Sequence, residues 1–423
     1  MLTEKDPRLA GRVAFRYPSF VDYTLARFFI VVAIEMQSVA VGWQVYAITN
    51  RALDLGYVGL AQFAPGFVLF LVAGHAADLL DRRKLLMWCY VGYGLCSALL
   101  LAISWRAPQS VHLICAVLVL VGISRSFSFP VSRAILPHLV PEEHFSNAVA
   151  WNASTGQVAN IAGPAIGGIA YALFRGPQGV YAIALTISIL SVLLTLRIHL
   201  LPTSPEKEMG QKEPVSLRTV LAGFRFIHKK KLILGAISLD MFAVLLGGAK
   251  ALLPIYARTI LHTGPWGLGL LRSAPGAGAA LMAIIVAHRP IHRRAGPTML
   301  SAVAAFGVFT IVFGVSQSLI LSLAALFLTG AADMVSVIIR ATLIQVATPD
   351  EMRGRVNAVD MLFIGASNQL GEFESGLTAQ WFGTVPAVVL GGVGTLVVVA
   401  TWTWLFPELR KADQLTVAEL MPE

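Results

Sequence analysis

The sequence contains few charged residues. Asp, Glu, Lys and Arg make up 13% of its 423 residues, hydrophobic residues make up 56%, and the mean hydropathy is +0.72. A soluble chain of this size carries about a quarter charged residues. The shortage argues against an ordinary soluble domain and indicates that most of the chain lies in lipid.

Cysteine is equally scarce. The three cysteines, Cys89, Cys96 and Cys115, all lie in apolar runs without nearby metal ligands. They are predicted to be small core residues rather than disulfides or zinc ligands, so no metal or cofactor is expected. Residues 1–19 are basic but contain no cleavage site, which predicts that no signal peptide is removed.

Motifs for catalysis are also missing. The chain contains no His-Glu-x-x-His, no Gly-x-Ser-x-Gly and no glycine loop for phosphate, and it has no substantial soluble domain. An enzyme and a transporter driven directly by ATP are therefore disfavoured.

Twelve apolar stretches are long enough to cross a bilayer, for which a helix needs about 20 residues. A polar stretch, residues 201–218, follows the sixth, and after it an amphipathic segment with Leu221, Phe224 and Arg225 is predicted to lie at the membrane surface. The predicted spans are 20–48, 55–76, 84–104, 110–136, 146–174, 178–199, 232–258, 265–288, 297–316, 318–346, 355–383 and 385–406.

The two halves of the chain repeat one pattern. Residues 59–66 match residues 269–276 at five of eight positions, and Pro141-Glu142-Glu143 recurs 208 residues later as Pro349-Asp350-Glu351. Six spans per repeat give parallel repeats about an axis along the membrane normal. We therefore predict an all-α membrane protein of two six-helix bundles related by a pseudo-twofold axis. Its predicted parts are a first bundle (1–199), a cytoplasmic linker (200–231), a second bundle (232–406) and a cytoplasmic tail (407–423).

Basic residues concentrate on the side of the N-terminus. They cluster in the leader, the loop at Arg82, the linker and the loop at Arg289, and Arg340 is assigned to the same side. The positive-inside rule then predicts a multi-pass protein of the cell membrane with both termini in the cytoplasm. This distribution also explains the net charge of +9 without nucleic acid.

The loop after the second predicted span resembles a signature of the major facilitator superfamily. Its pattern Gly-x-x-x-Asp-Arg-x-Gly-Arg-Arg is met at Gly74, Asp78, Arg82 and Arg83, whereas Leu79 stands where the first arginine is expected and Asp81 where glycine is expected. The resemblance implies a latch that holds the cytoplasmic side closed, with Arg82 and Arg83 clamping carboxylates. The alternative is a solvated basic turn.

The fifth predicted span contains a second pattern. Gly163, Pro164, Gly167 and Gly168 are similar to the Gly-Pro motif of the proton-driven exporters of the superfamily. With residues 41–46 and 221–226, the chain is most similar to the subgroup of enterobactin-exporter-like proteins. The motif implies a hinge in the outward path, and close helix packing is the alternative.

Ionisable residues inside spans are candidates for function. In the superfamily the first, fourth, seventh and tenth spans line a central cavity, and here they carry Glu35, Arg125, Asp240 and Asp333, with Lys250 nearer the outer mouth. Arg125 and Asp333 are 208 residues apart, which predicts equivalent places in the two halves and suggests that they pair in one state.

Four carboxylates are candidates for binding a proton: Glu35, Asp333, Glu372 and Glu374. A carboxyl group in a low dielectric favours its neutral form, as a site that loads and releases protons requires. Glu372 and Glu374 are two residues apart, which predicts that they face different ways. For Glu374, interhelical hydrogen bonding is the favoured interpretation.

Together these features predict a monomeric secondary transporter in the bilayer. The favoured function is proton-coupled export of small amphiphilic or lipophilic compounds, siderophore- or drug-like, by alternating access. An importer or facilitator, a lysolipid flippase and a membrane sensor without transport stay open as alternatives.

Overall fold

The structure is a computed structural model that describes residues 11–106, 110–201, 217–291 and 293–413. Within α-helices, the side chains of residues 70, 71, 77, 78, 217 and 218 are not described. Every regular element in these ranges is helical, which confirms the all-α prediction.

The first half of the chain forms six long helices. A short 3-10 turn precedes them, and two more lie between the fourth and the fifth. Asn50 has a left-handed backbone (φ 51°) at the turn between the first two helices, which asparagine tolerates better than most residues. The helices are α1 (Pro18–Thr49), α2 (Ala52–Leu79), α3 (Arg82–Trp105), α4 (Val111–Ile135), α5 (Phe145–Leu173) and α6 (Pro177–Leu196).

The second half begins with the amphipathic helix α7 (Leu217–Lys229). The seventh predicted span is broken after Gly247 and continues through short helical turns to a π-helical turn, Tyr256–Ile260. The helices that follow α7 are α8 (Lys231–Gly247), α9 (Gly264–His288), α10 (Ala295–Val315), α11 (Leu319–Ala347), α12 (Asp350–Phe382), α13 (Thr384–Leu405) and α14 (Pro407–Lys411).

The predicted spans agree closely with these helices. Apart from the seventh span, which is broken after Gly247, the largest difference is at α12, which begins at Asp350 rather than at residue 355. Ten helical segments in the described part are long and apolar enough to cross a membrane by themselves. The other two predicted spans, α5 and α12, are long helices that carry polar side chains, among them Asn152 and Gln157 in α5 and Glu372 and Glu374 in α12.

The chain divides into two compact units that do not coincide with its two halves. Unit 1 contains residues 1–41 and 64–215, and unit 2 contains residues 42–63 and 216–423. The tip of the α1–α2 hairpin therefore belongs to unit 2. There Arg258 donates to the carbonyl oxygen of Tyr46 (3.2 Å), and a Cβ added to Gly376 would lie 3.0 Å from the Cα of Gly56.

An apolar core of unit 2 lies where α8, α10, α11 and α13 meet. Fully buried members include Leu239, Met299, Ile339 and Leu343. Small residues let neighbouring helices approach closely, as is common in membranes. A Cβ on Gly330 of α11, for example, would clash with the backbone of Pro275 in α9.

Helix α7 packs on unit 2 through its apolar side. Ile227 is buried with Ile233, Ile344 and Val356, whereas Leu221, Phe224 and the basic residues 228–231 are exposed. The predicted amphipathic helix is therefore present, and its place at a membrane surface stays a prediction.

Candidate functional site

A buried ion network joins three helices of unit 2. Arg340 of α11 donates through Nη1 to Oδ1 of Asp360 in α12, at 2.6 Å, and its Nη2 lies 3.5 Å from Oδ2 of Asp240 in α8. The three side chains expose only 4%, 15% and 7% of their surfaces, respectively. One guanidinium therefore bridges two carboxylates away from water.

Two further charges belong to the surroundings of this network. Asp333 of α11 is partly buried and interacts electrostatically with Asp240, Arg340 and Lys250. The hydroxyl of Ser336 donates to Oδ1 of Asp240 over a long 3.5 Å. When all five charged groups are ionised, the three carboxylates outnumber the two cations by one.

The helical spacing of α11 places this set on one face. Asp333, Ser336 and Arg340 are three and four residues apart, which brings them to the same side of a helix. The facing helices α8 and α12 contribute one aspartate each. Helix α11 thus supplies Asp333, Ser336 and Arg340 from one short stretch of sequence. Tertiary packing brings the aspartates of α8 and α12 to them.

The network is not an optimised structural salt bridge. The Nε–H of Arg340 is buried and has no hydrogen-bond partner among the described residues. An unsatisfied buried donor costs about 1–3 kcal/mol, and buried ion pairs gain little over apolar packing. An arrangement with that cost is expected to serve function more than stability.

The structure corrects the assignment of Arg340. We expected it to mark the cytoplasmic side of the membrane, but it lies inside α11 with 3% of the residue exposed. Asp360 was not among the predicted site residues. The spacing of Asp333, Ser336 and Arg340 is the sequence signal that points to this site.

The two glutamates of α12 lie in different surroundings, as their spacing predicted. Glu372 packs against α2, since a Cβ added to Gly59 would lie 2.8 Å from its Oε2. Glu374 accepts a hydrogen bond from Thr378 Oγ1 in its own helix, at 2.7 Å. Neither residue is part of the Arg340 network as the structure describes it.

In unit 1, Glu35 lies at the contact between α1 and α5. A Cβ added to Gly163 would lie 2.6 Å from Cβ of Glu35, and one added to Gly167 would lie 2.7 Å from Cα of Met36. Pro164, Gly167 and Gly168 are buried on the same helix. The Gly-Pro motif therefore packs α5 closely against α1, and its action as a hinge stays a prediction.

Arg125 of α4 is exposed and makes no ion pair with any residue that the structure describes. Because Arg125 belongs to unit 1 and Asp333 to unit 2, their predicted pairing stays a prediction.

The loop signature makes contacts within unit 1. Arg82 hydrogen-bonds to His138, and Arg83 donates to the carbonyl oxygens of Thr195 (3.2 Å) and Leu196. The described partners of both arginines are thus not the carboxylates that we expected. Asp81, in the place of the expected glycine, accepts from the backbone N–H of Lys84 (3.1 Å) and caps α3.

Two members of the signature have no described role. Gly74 lies inside α2, and the side chain of Asp78 falls outside the described part of the chain. The latch therefore stays a prediction.

None of the three cysteines forms a disulfide; Cys89 and Cys96 are buried and Cys115 is partly buried. Among the described residues no three His, Cys, Asp or Glu side chains are placed to hold a metal ion.

Solved structures resemble this architecture over nearly its whole length. A bacterial homologue of the human lysosomal transporter Spinster superposes with a TM-score of 0.72, at 14% identity, covering 92% of this chain and 96% of that chain. A D-xylose-proton symporter superposes with a TM-score of 0.70, at 13% identity, covering 93% and 99%. These similarities confirm the predicted fold with twelve membrane-spanning helices.

Relatives in sequence identify the family of this chain more narrowly than the similar folds do. The chain is 27% identical to the enterobactin exporter EntS of Citrobacter koseri over 404 residues and to that of Escherichia coli over 406 residues, with 94% of both chains covered in each case. Residues 14–423 match the family described as transmembrane secretion effector. The chain therefore belongs to the transmembrane secretion effectors, a family of transporters in the major facilitator superfamily.

Proposed function

We propose that this protein is a proton-coupled exporter of small amphiphilic compounds of the siderophore class, working by alternating access. The observation that carries the proposal is the buried network of Asp240, Arg340 and Asp360, with Asp333 beside it. Relatives named as enterobactin exporters support the outward direction and the siderophore class.

The charge balance of the network suits the binding of one proton. With every group ionised, the two carboxylates of Asp240 and Asp360 outnumber the single guanidinium of Arg340 by one. A net charge in a low dielectric is costly, so protonation of one aspartate relieves the excess. Releasing that proton restores the second partner of Arg340. The network thus has two arrangements that differ by one proton.

In unit 1 the residue that corresponds to Asp360 is neutral, which supports this assignment. Asn152 precedes Asp360 by 208 residues, the offset of the internal repeat. There Arg27 donates to both the carbonyl oxygen and the side-chain oxygen of Asn152, at 2.8 Å each. An amide holds a guanidinium but does not exchange a proton in the physiological range. Coupling is therefore assigned to unit 2.

A proton gradient supplies enough energy for export. Each elementary charge that moves across the membrane contributes about 2.3 kcal/mol per 100 mV. For this use the protein would lie in the cytoplasmic membrane with both termini in the cytoplasm. The basic loops and the linker support that orientation.

Proteoliposomes with a trapped pH dye test the proposal. We expect that a panel of siderophores, dyes and antibiotics contains a compound that drives proton movement, and that Asp360→Asn abolishes the movement. Glu351→Gln removes an exposed carboxylate of the same helix and serves as the matched control. Glu35→Gln and Glu372→Gln test the remaining predicted proton sites.

The results separate the other functions of this fold. Substrate flux that does not depend on the pH gradient would indicate a facilitator, and movement of lysolipid between leaflets would indicate a flippase. Absence of flux for every compound would favour a sensor. An Asp360→Asn variant with wild-type proton movement would refute the assignment of the site.

A further inference from the structure

The side of α7 that faces away from unit 2 is exposed and of mixed composition. Its residues lie three, four and seven positions after the first, so they share one face of the helix. Leu221 and Phe224 expose 48% and 46% of their surfaces, respectively. Arg225 and His228 are exposed beside them. Two large apolar side chains therefore lie next to polar ones on a side without a described protein neighbour that covers them.

The end of α7 is strongly basic. Lys229, Lys230 and Lys231 are exposed and follow directly, and residues 217–231 contain no acidic residue. Lys231 lies 4.0 Å from Glu408, whereas Arg225, Lys229 and Lys230 make no ion pair with a described residue. Residues 221, 224, 225 and 228–231 are called here the α7 surface. Its cations are available to a partner of negative charge.

Packing fixes the level of α7 relative to the membrane-spanning helices. Ile227 is buried with Ile233 of α8, Ile344 of α11 and Val356 of α12. These three residues lie two, three and six positions, respectively, from an end of their helices. Spanning helices end near the lipid headgroups. The α7 surface therefore lies at the level of the headgroups.

A helix at this level with apolar and basic side chains on one exposed side suits a membrane whose surface is negatively charged. The apolar side chains enter the boundary of the acyl chains, and the basic ones attract anionic headgroups. An acidic protein would match the charges, but lipid headgroups lie beside this surface in every copy of the protein. We propose that the α7 surface binds anionic phospholipid of the adjacent leaflet, which is the cytoplasmic one in the predicted orientation.

The same helix contacts the part of α12 that carries Asp360. A Cβ added to Gly223 would lie 2.6 Å from the carbonyl oxygen of Arg355, so the two backbones are close. The rings of Phe224 and Phe363 have their centroids 6.4 Å apart. Asp360 lies between these two contacts along α12. Bound lipid thus holds α7 against the helix of the proton network, and the consequence for proton movement rests on the proposed function.

Thermal unfolding of the purified full-length chain in nonionic detergent tests the lipid contact. Phosphatidylglycerol and phosphatidylcholine with the same acyl chains are added at equal mole fractions, and a ligand of the folded state raises the melting temperature. We expect phosphatidylglycerol to raise it by a few degrees more than phosphatidylcholine does. The triple variant Arg225→Gln, Lys229→Gln, Lys230→Gln should lose most of this difference. Arg225→Lys, Lys229→Arg, Lys230→Arg keeps the charge and should keep the difference.

A second triple variant controls for the loss of net charge. Arg12→Gln, Arg16→Gln, Arg289→Gln removes three exposed cations from other parts of the chain and should respond to the two lipids as wild type does. Leu221→Ser should reduce the rise caused by either lipid, because it removes an apolar contact. Since all the substituted residues are exposed, melting temperatures without lipid should stay near that of wild type.

Equal rises for the two lipids, or an undiminished difference in the first triple variant, would overturn the proposal. Two soluble probes distinguish other partners, namely glycerol phosphate and hexaglutamate. A rise as large as that with phosphatidylglycerol would assign the surface to free anions or to an acidic protein segment, respectively, and the lipid contact would be refuted.

Liposomes with and without phosphatidylglycerol separate this inference from the export function. A charge-selective rise in melting temperature without proton movement in either kind of liposome would support the lipid contact and remove the export function. Proton movement that Asp360→Asn abolishes, but that is equal in the two kinds of liposome, would keep the export function and refute the influence of lipid through α12.

Discussion

Arg340 and Asp360 form the shortest ion pair in the interior of unit 2, with 2.6 Å between Nη1 and Oδ1. The pair joins α11 to α12, and Asp240 extends it to α8 at 3.5 Å. A single buried guanidinium therefore holds three helices together. We expect both stability and the proposed proton coupling to depend on this guanidinium and to respond differently to substitution.

Removing the cation should destabilise the protein strongly. Arg340→Gln leaves Asp240 and Asp360 buried without a positive partner, and breaking a buried ion pair on one side costs about 3–5 kcal/mol. We expect a clear fall in the melting temperature of the protein in detergent. The fall should be smaller at acid pH, because protonation neutralises the two stranded carboxylates. A melting temperature equal to that of wild type at neutral pH would contradict the structural role of Arg340.

Removing one carboxylate should have a milder effect on folding. In Asp360→Asn the amide oxygen can still accept from Arg340, as Asn152 accepts from Arg27 in unit 1. We expect normal expression, a melting temperature near that of wild type, and exchange of substrate across the membrane without proton movement. Counterflow of labelled substrate measures the exchange. If the variant lost both substrate exchange and proton movement, Asp360 would serve the transport cycle in another way.

The contact between α1 and α5 should not tolerate a larger side chain. Gly167→Ala places a methyl group about 2.7 Å from Cα of Met36 and 2.9 Å from its carbonyl oxygen, so the helices must separate. Overpacking of this kind costs about 1–3 kcal/mol. Gly365→Ala is the matched control, because nothing lies within 4 Å of the added Cβ. Thermal unfolding should show a loss for the first substitution and none for the second.

Equal melting temperatures for Gly167→Ala and Gly365→Ala would mean that the Gly-Pro motif does not act through close packing. A stable Gly167→Ala that loses transport would instead support the predicted hinge.

The sequence alone predicted the helices far better than the site. Long apolar runs bounded by charge, proline and glycine define spans because the bilayer requires them, so apart from the break of the seventh span after Gly247 only the start of α12 differs by as much as five residues. That difference mattered, since a span beginning at residue 355 leaves Asp360 near the membrane surface. The observed start at Asp350 places it ten residues inside the helix.

Arg340 was misassigned for a related reason. The positive-inside rule counts basic residues near the ends of spans, and Arg340 lies seven residues before the end of α11. Its burial depends on carboxylates from α8 and α12, which lie far away in the sequence. The repeat offset could have found the relation between Asp360 and Asn152, but not which arginine each of them contacts. Such contacts are decided by tertiary packing.

Proton release on ligand binding tests the central claim most directly. Purified protein in weakly buffered detergent is mixed with a compound that drives proton movement in liposomes, and a pH dye reports the protons released per bound ligand. We predict about one proton for the wild type, in line with the excess of one carboxylate in the network, and none for Asp360→Asn, with ligand binding retained. An equal release by Asp360→Asn and wild type would contradict the account.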